Sequence, residues 1–237
     1  LSTLQNTLQP LKWLSKKTEV RMPYLLLCIG CIFLVLGVIG LIHPSTSNLD
    51  LLSVQMLFEH RFSVLDHVAI LLSQLGGMPF LIVLITFLCI YQTWMKNYKS
   101  LVFIALSVIG SIAIGWLLKW GIDRPRPLEF YHLVQSYGAS FPSGHSLYAA
   151  TLASLALLLC QQHRYRLFVI LIATLWIMVM GISRVYLGVH YPTDVLSGWG
   201  IGLIWTSLLW LWLYQSNFNN NLFFRSKSKL RWNNDVG

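Results

Sequence analysis

The residues whose types and spacing suit chemistry fall in three short stretches, 119–127, 142–146 and 183–194. Lys119, Arg126 and Arg184 supply three cations with no comparable set of carboxylates beside them, and an arginine can grip two oxygens of one phosphate at once. Ser143 and Gly144 follow Pro142 at the head of an apolar run. A helix starting there would present free backbone N–H groups and the positive end of its dipole, which makes an anion site. The ligand these groups suit is a phosphate. His190 lies four residues before Asp194, and Pro192 suits the first turn of a helix. An aspartate accepting from one imidazole nitrogen fixes the tautomer and leaves the other nitrogen as a nucleophile. His145 then remains for general acid work. The expected chemistry is attack of His190 on phosphorus and protonation of the departing oxygen by His145. The three cations and the Ser143 and Gly144 amides would stabilise the charge on the equatorial oxygens. Water deprotonated by His145 would then release the phosphohistidine.

The chain that must position these groups has 237 residues, of which 56% are hydrophobic and 11% charged, with a mean hydropathy of +0.63. Soluble domains carry about 25% charged residues, so an ordinary soluble enzyme is excluded, and the 10 Trp, 10 Tyr and 12 Phe exclude a disordered chain. The expected fold is an all-α polytopic membrane bundle, a single domain over 1–237. Apolar runs at 24–42, 79–95, 101–118, 143–160, 167–182 and 195–214 give six transmembrane helices. The basic residues ahead of the first run raise the possibility of a cleaved signal, but 19 apolar residues and no A-x-A site favour an anchor. Residues 64–75, interrupted by Asp66, His67, Ser73 and Gln74, read as an amphipathic helix lying at the interface. Gly76, Gly77 and Pro79 separate it from the next span. Cys28, Cys31, Cys89 and Cys160 lie in apolar runs and read as buried packing rather than as a metal or redox set.

Six spans sort the basic residues. Lys12, Lys16, Lys17, Arg21, Lys96, Lys99, Arg164, Arg166, Arg225, Lys227, Lys229 and Arg231 share one face; Arg61, Lys119, Arg124, Arg126 and Arg184 take the other. The positive-inside rule then places both tails (1–23 and 215–237) in the cytoplasm and the candidate site on the outer face of the plasma membrane. The formal charge of +9 is thereby explained by orientation, and no nucleic-acid partner is needed.

Lys119-x6-Arg126-Pro127, Pro142-Ser143-Gly144-His145 and Ser183-Arg184-x5-His190-x3-Asp194 resemble the three-part signature of the type 2 phosphatidic acid phosphatase family, over roughly residues 60–214. The resemblance implies a phosphatase that needs no metal or other cofactor and passes through a phosphohistidine. In it His190, His145 and Asp194 would be catalytic, and Lys119, Arg126, Ser143, Gly144 and Arg184 would bind the phosphate. Within the family the chain is similar to the bacterial phosphatidylglycerophosphatase B and undecaprenyl pyrophosphate phosphatase group, so membrane lipid phosphates and the bilayer are the expected partners. Only 14 residues run from Leu128 to Phe141, which suggests an open site tolerant of several lipids. Lipid A dephosphorylation, transfer of the phosphoryl group to a lipid acceptor, and a non-catalytic anion-binding transporter are the alternatives.

The remaining candidates read more plainly. Phe130, Tyr131, Tyr137 and Phe141 are expected as interfacial anchors, and Trp199, Trp205, Trp210 and Trp212 as lipid or packing contacts. His43, His60, His67, His132 and His163 are read as structural or interfacial, and Glu129 as loop surface. Arg124 is read equally as an aid to substrate access or as a partner of Asp123.

Overall fold

A computed structural model describes residues 9–215, with side chains described for 21–43 and 46–214. The basic residues at 225–231 that the sidedness argument uses lie outside the described residues, as do the side chains of Lys12, Lys16 and Lys17. The long elements of the described chain are all α-helices: α1 (Gln9–Ile42), α2 (Pro44–Glu59), α3 (Ser63–Leu75), α4 (Met78–Trp94), α5 (Tyr98–Ile122), α6 (Gly144–Leu159), α7 (Arg166–Tyr186) and α8 (Pro192–Trp210). A short 3-10 turn, Glu129–Tyr131, lies in the long α5–α6 connection, and a π turn, Leu211–Gln215, follows α8.

Local chemistry sets the boundaries. Asn97 caps α5 by accepting from Ser100 N, and Asp123 ends that helix in the left-handed region at φ 44°. Pro192 stands at the first turn of α8, where its missing N–H costs nothing. Two glycines allow close approaches that shape the site. Gly188 turns the chain after α7 at φ +73°, and a Cβ there would strike the Tyr131 backbone. Gly198 of α8 brings that helix against the start of α6, since a Cβ would meet the Ser143 carbonyl oxygen at 2.6 Å.

Four helical segments are long and apolar enough to cross a bilayer by themselves: Arg21–Ile42, Tyr98–Ile122, Arg166–Tyr186 and Pro192–Tyr214. α3 and α4 meet the same test only as a pair, bent by 49° at the glycines, and α6 with its 16 residues is shorter. The surface is apolar where these helices face outward, as at Ile32, Val35 and Ile39 of α1, Phe87 and Ile90 of α4, and Leu171 and Leu175 of α7. Such a surface suits lipid rather than water. α6 and α8 form the centre: Leu147, Ala150 and Leu158 of α6 pack with Val195, Ile201 and Leu203 of α8. α1 flanks α8, and Phe33 packs on Trp199 with ring centroids 5.6 Å apart.

Several expectations change. The stretch 44–59, left without an element, is α2, and it buries Val54 and Asp50. α3, expected only as an amphipathic helix at the interface, also packs on α7 and reaches the candidate site with its last turn. Cys28 and Cys31 are exposed on α1 and are not buried packing, while Cys89 and Cys160 are partly buried. Tyr131 and Phe141, expected as interfacial anchors, are core residues.

Candidate active site

One end of the bundle gathers the three sequence stretches. Lys119 lies in the last turn of α5, Arg184 in the last turn of α7, His145 in the first turn of α6 and Asp194 in the first turn of α8, with His190 in the turn between α7 and α8. A cavity of about 200 Å³ is lined by Lys119, Arg126, Gly144, His145, Arg184 and His190, with Ser73 and Met78 closing it from α3 and α4.

The tautomer of His190 follows from its neighbours. Arg126 Nη1 lies 3.3 Å from His190 Nε2. A guanidinium only donates, so Nε2 accepts there and the ring proton sits on Nδ1. Nδ1 faces Asp194 Oδ2 at 3.7 Å, with the Ser140 hydroxyl between the two groups: Ser140 Oγ is 3.5 Å from Nδ1 and donates to Asp194 Oδ2 at 2.6 Å. Complete burial, with the nearby charges of Arg126 and Lys119 adding to it, lowers the His190 pKa to about 3, although Asp194 works the other way. The ring is therefore neutral at pH 7, with its unprotonated Nε2 on the cavity.

Asp194 is itself held through both carboxylate oxygens. Oδ2 also accepts from the Tyr191 backbone N–H at 2.9 Å, and Oδ1 accepts from Arg124 Nη1 at 2.6 Å. Arg124 reaches onward to Asp50 Oδ2 at 2.8 Å, and Asp50 in turn accepts from the Thr193 N–H at 3.2 Å and the Thr193 hydroxyl at 2.5 Å. Arg124 also lies over the Tyr191 ring, 4.3 Å from its centroid. Burial alone would lower the Arg124 pKa, but Asp194 and Asp50 more than offset this, so its charge is secure. Arg124 thus bridges Asp50 and Asp194, and the reading that pairs it with Asp123 gives way; Asp123 is the exposed cap of α5.

The other cations differ in what holds them. Arg184 is 1% exposed, and its hydrogen bonds go to two serine hydroxyls: Ser73 at 2.9 Å, and Ser183 at 3.3 and 3.1 Å. No carboxylate among the described residues is within ion-pair distance of it. Arg126 donates to the carbonyls of Gly138, Val189, Tyr137 and Ala139, and Lys119 also donates to Ala139 O. These two cations therefore knit the α5–α6 connection to the site while keeping their charge beside the cavity.

Ser143 and Gly144 separate in role. The Ser143 N–H is donated to the Asp194 carbonyl at 3.1 Å, and its fully buried hydroxyl accepts from Ser146, so Ser143 braces α6 against α8 away from the cavity. Gly144 lines the cavity at the first helical position, where an N–H has no acceptor within its own helix. His145 Nε2 lies 3.0 Å from the Ser73 carbonyl oxygen. Asp50, Ser73 and Ser140 had no motif to announce them. Four of the five remaining histidines take backbone partners: His132 with Pro127 O, His60 with Met56 O, His67 with Ser63 O and His163 with Tyr165 N. Glu129 is exposed loop surface, as expected. Among the described residues no group of three or more His, Cys, Asp or Glu gathers as a metal site.

Known proteins are similar to this chain in sequence and in fold. The chain is 34% identical over 143 residues to phosphatidylglycerophosphatase B of Bacillus subtilis, covering 56% of this chain and 68% of that protein. It is 29% identical over 163 residues to the undecaprenyl-diphosphatase of Sulfolobus acidocaldarius, covering 63% and 71%. The crystal structure of a transmembrane PAP2-type phosphatidylglycerolphosphate phosphatase from Bacillus subtilis superposes with a TM-score of 0.70 at 29% identity, covering 83% of this chain and 96% of that one. Residues 100–218, half of the chain, match the PAP2 superfamily, a stretch that holds every residue of the three-part signature but neither Asp50 nor Ser73. By this match and by the relatives on either side of it, the chain belongs to the PAP2 superfamily.

Proposed function

We propose that this protein is a membrane lipid phosphatase that removes a phosphomonoester or pyrophosphate headgroup through a phosphohistidine on His190. The observation that carries the reading is the pairing, in one cavity, of a buried cation without a carboxylate partner, Arg184, and a neutral histidine with its Nε2 free of a proton. A buried cation of this kind is costly unless an anion joins it. A phosphate among Arg184, Lys119, Arg126 and the Gly144 N–H places phosphorus within reach of His190.

Attack by Nε2 forms the N–P bond as the bond from phosphorus to the lipid-side oxygen breaks. His145 gives that oxygen its proton, and Asp194 with Ser140 holds the Nδ1 proton of His190 as positive charge develops on the ring. In the second step His145, now neutral, takes a proton from water. The resulting hydroxide attacks phosphorus, the N–P bond breaks, inorganic phosphate leaves and His190 is restored. The charge stabilisation comes from protein cations, so chelators leave the rate unchanged.

The lipid's chains have a place beside the headgroup site. An apolar groove of about 610 Å³ between α4, α6 and α7 is lined by Phe80, Leu84, Leu152, Leu155, Phe168 and Ile172 among others. One turn of α6 separates Tyr148 at the polar cavity from Leu152 in this groove. In the membrane we place α1, α4, α5, α6, α7 and α8 as six crossings with α3 at the outer interface, both tails in the cytoplasm and the site at the outer face, following the distribution of basic residues. Phosphatidylglycerophosphate and undecaprenyl pyrophosphate are the substrates that the relatives suggest. The test is phosphate release by purified protein from a panel of lipid phosphates and pyrophosphates. Wild type is expected to turn over members of both classes and His190→Ala neither; turnover by His190→Ala, or none by wild type, contradicts the reading.

A further inference from the structure

Ser73 belongs to α3, outside the stretch that carries the signature, yet it touches two of the residues assigned above. Its hydroxyl oxygen accepts from Arg184 Nη1 at 2.9 Å, and its carbonyl oxygen lies 3.0 Å from His145 Nε2. A carbonyl only accepts, so Nε2 of His145 carries a proton and Nδ1 is the nitrogen that exchanges one. The hydroxyl, having accepted from Arg184, keeps its own hydrogen, and no described residue takes that hydrogen. Ser73 lines the small cavity together with Lys119, Arg126 and His190. Its position is secured along the α3–α7 seam: Arg61 donates to Tyr186 O at 2.5 Å, the Tyr186 hydroxyl donates to Asp66 at 2.7 Å, and Met180 fills the space left by Gly76.

We propose that Ser73 is a further phosphate-binding residue of this site, its hydroxyl anchoring Arg184 and donating to a non-bridging phosphate oxygen, one that stays on phosphorus when the lipid leaves. This rests on the phosphatase reading. The contact is made alike in the ground and transition states, so its loss raises KM and leaves kcat nearly unchanged. It also puts the end of α3 in the site, which makes the bend between α3 and α4 part of the phosphate's surroundings.

The experiment compares wild type, Ser73→Ala and Ser73→Thr in detergent micelles. It measures phosphate release from phosphatidylglycerophosphate, inhibition by orthovanadate, and the melting temperature of each protein. Loss of a hydrogen bond to a charged group predicts that Ser73→Ala raises both KM and the vanadate Ki about ten-fold, with kcat within about three-fold. Ser73→Thr, which keeps the hydroxyl, stays within about three-fold of wild type throughout. Unchanged KM and Ki in Ser73→Ala overturn the proposal. So does a lower Ki, which would mean that Ser73 competes with phosphate for Arg184. If Ser73→Ala does not fold, Ser73→Cys supplies the same comparison with a weaker donor. Calorimetric binding of orthovanadate to the same proteins reads the Ser73 contact even where wild type releases no phosphate, so failure of the phosphatase reading is seen separately.

Discussion

Arg124 holds two buried carboxylates at once, Asp50 from α2 and Asp194 behind the nucleophile. Removing it leaves both buried carboxylates without their shared cation. Breaking a buried pair in this way costs roughly 3–5 kcal/mol, so Arg124→Ala is expected to lower the unfolding free energy in detergent by about that amount. Activity falls with it, because Asp194 loses the partner that orients it toward Ser140 and His190. A variant that unfolds like wild type would show that the bridge contributes nothing. The signature residues were legible because motif spacing survives in one dimension. Arg124, Asp50 and Ser140 were not, since their meaning lies in contacts across 70 residues from Arg124 to Asp194, 74 from Asp50 to Arg124 and 54 from Ser140 to Asp194. Ser143 shows the converse. Its type and place fit an anion site, but the close approach of α8 claims its N–H first.

At the scale of elements, the site exists because helix ends converge. Hydropathy found α4, α5, α6, α7 and α8 to within a few residues, and the end of α1 but not its start at Gln9, because the apolar run is what must be buried or face lipid and α1 extends beyond it. α2 escaped because Ser45-Thr46-Ser47-Asn48 and Asp50 read as loop; its helix is supported by tertiary packing, with Val54 and Asp50 buried. The joint of α6 and α8 is a close element contact at the site. Gly198 lies where any side chain meets the Ser143 carbonyl, and Gly202 does the same against the Leu147 carbonyl. Overpacking a well-filled interface costs about 1–3 kcal/mol or more. Gly198→Leu is accordingly expected to separate the start of α6 from α8, moving His145 away from His190. Its kcat should fall at least about a hundred-fold, since small misplacements of reacting groups have effects of that size. Near-normal kcat in Gly198→Leu would contradict this account of how the two histidines are brought together.

The whole molecule places a polar cavity at one end of an apolar bundle, with four cations, Lys119, Arg124, Arg126 and Arg184, set against two carboxylates, Asp50 and Asp194. The scarcity of charge that marks the sequence as membrane-bound also gives these groups their strength, since cations with few counter-ions in a low-dielectric setting select an anion. The bent α3–α4 pair was harder to foresee than the straight helices, because a break at two glycines says nothing about which side of the bend meets the site. The central claim, that the phosphoryl group passes through His190, can be tested by trapping. Purified protein is mixed with a lipid substrate carrying a labelled phosphoryl group, quenched in alkali within the first turnover, and digested for peptide mapping. The account predicts a base-stable, acid-labile label on the peptide containing His190 and none on His190→Gln. Release of labelled phosphate by wild type with no label on the chain, or label retained in His190→Gln, would contradict it.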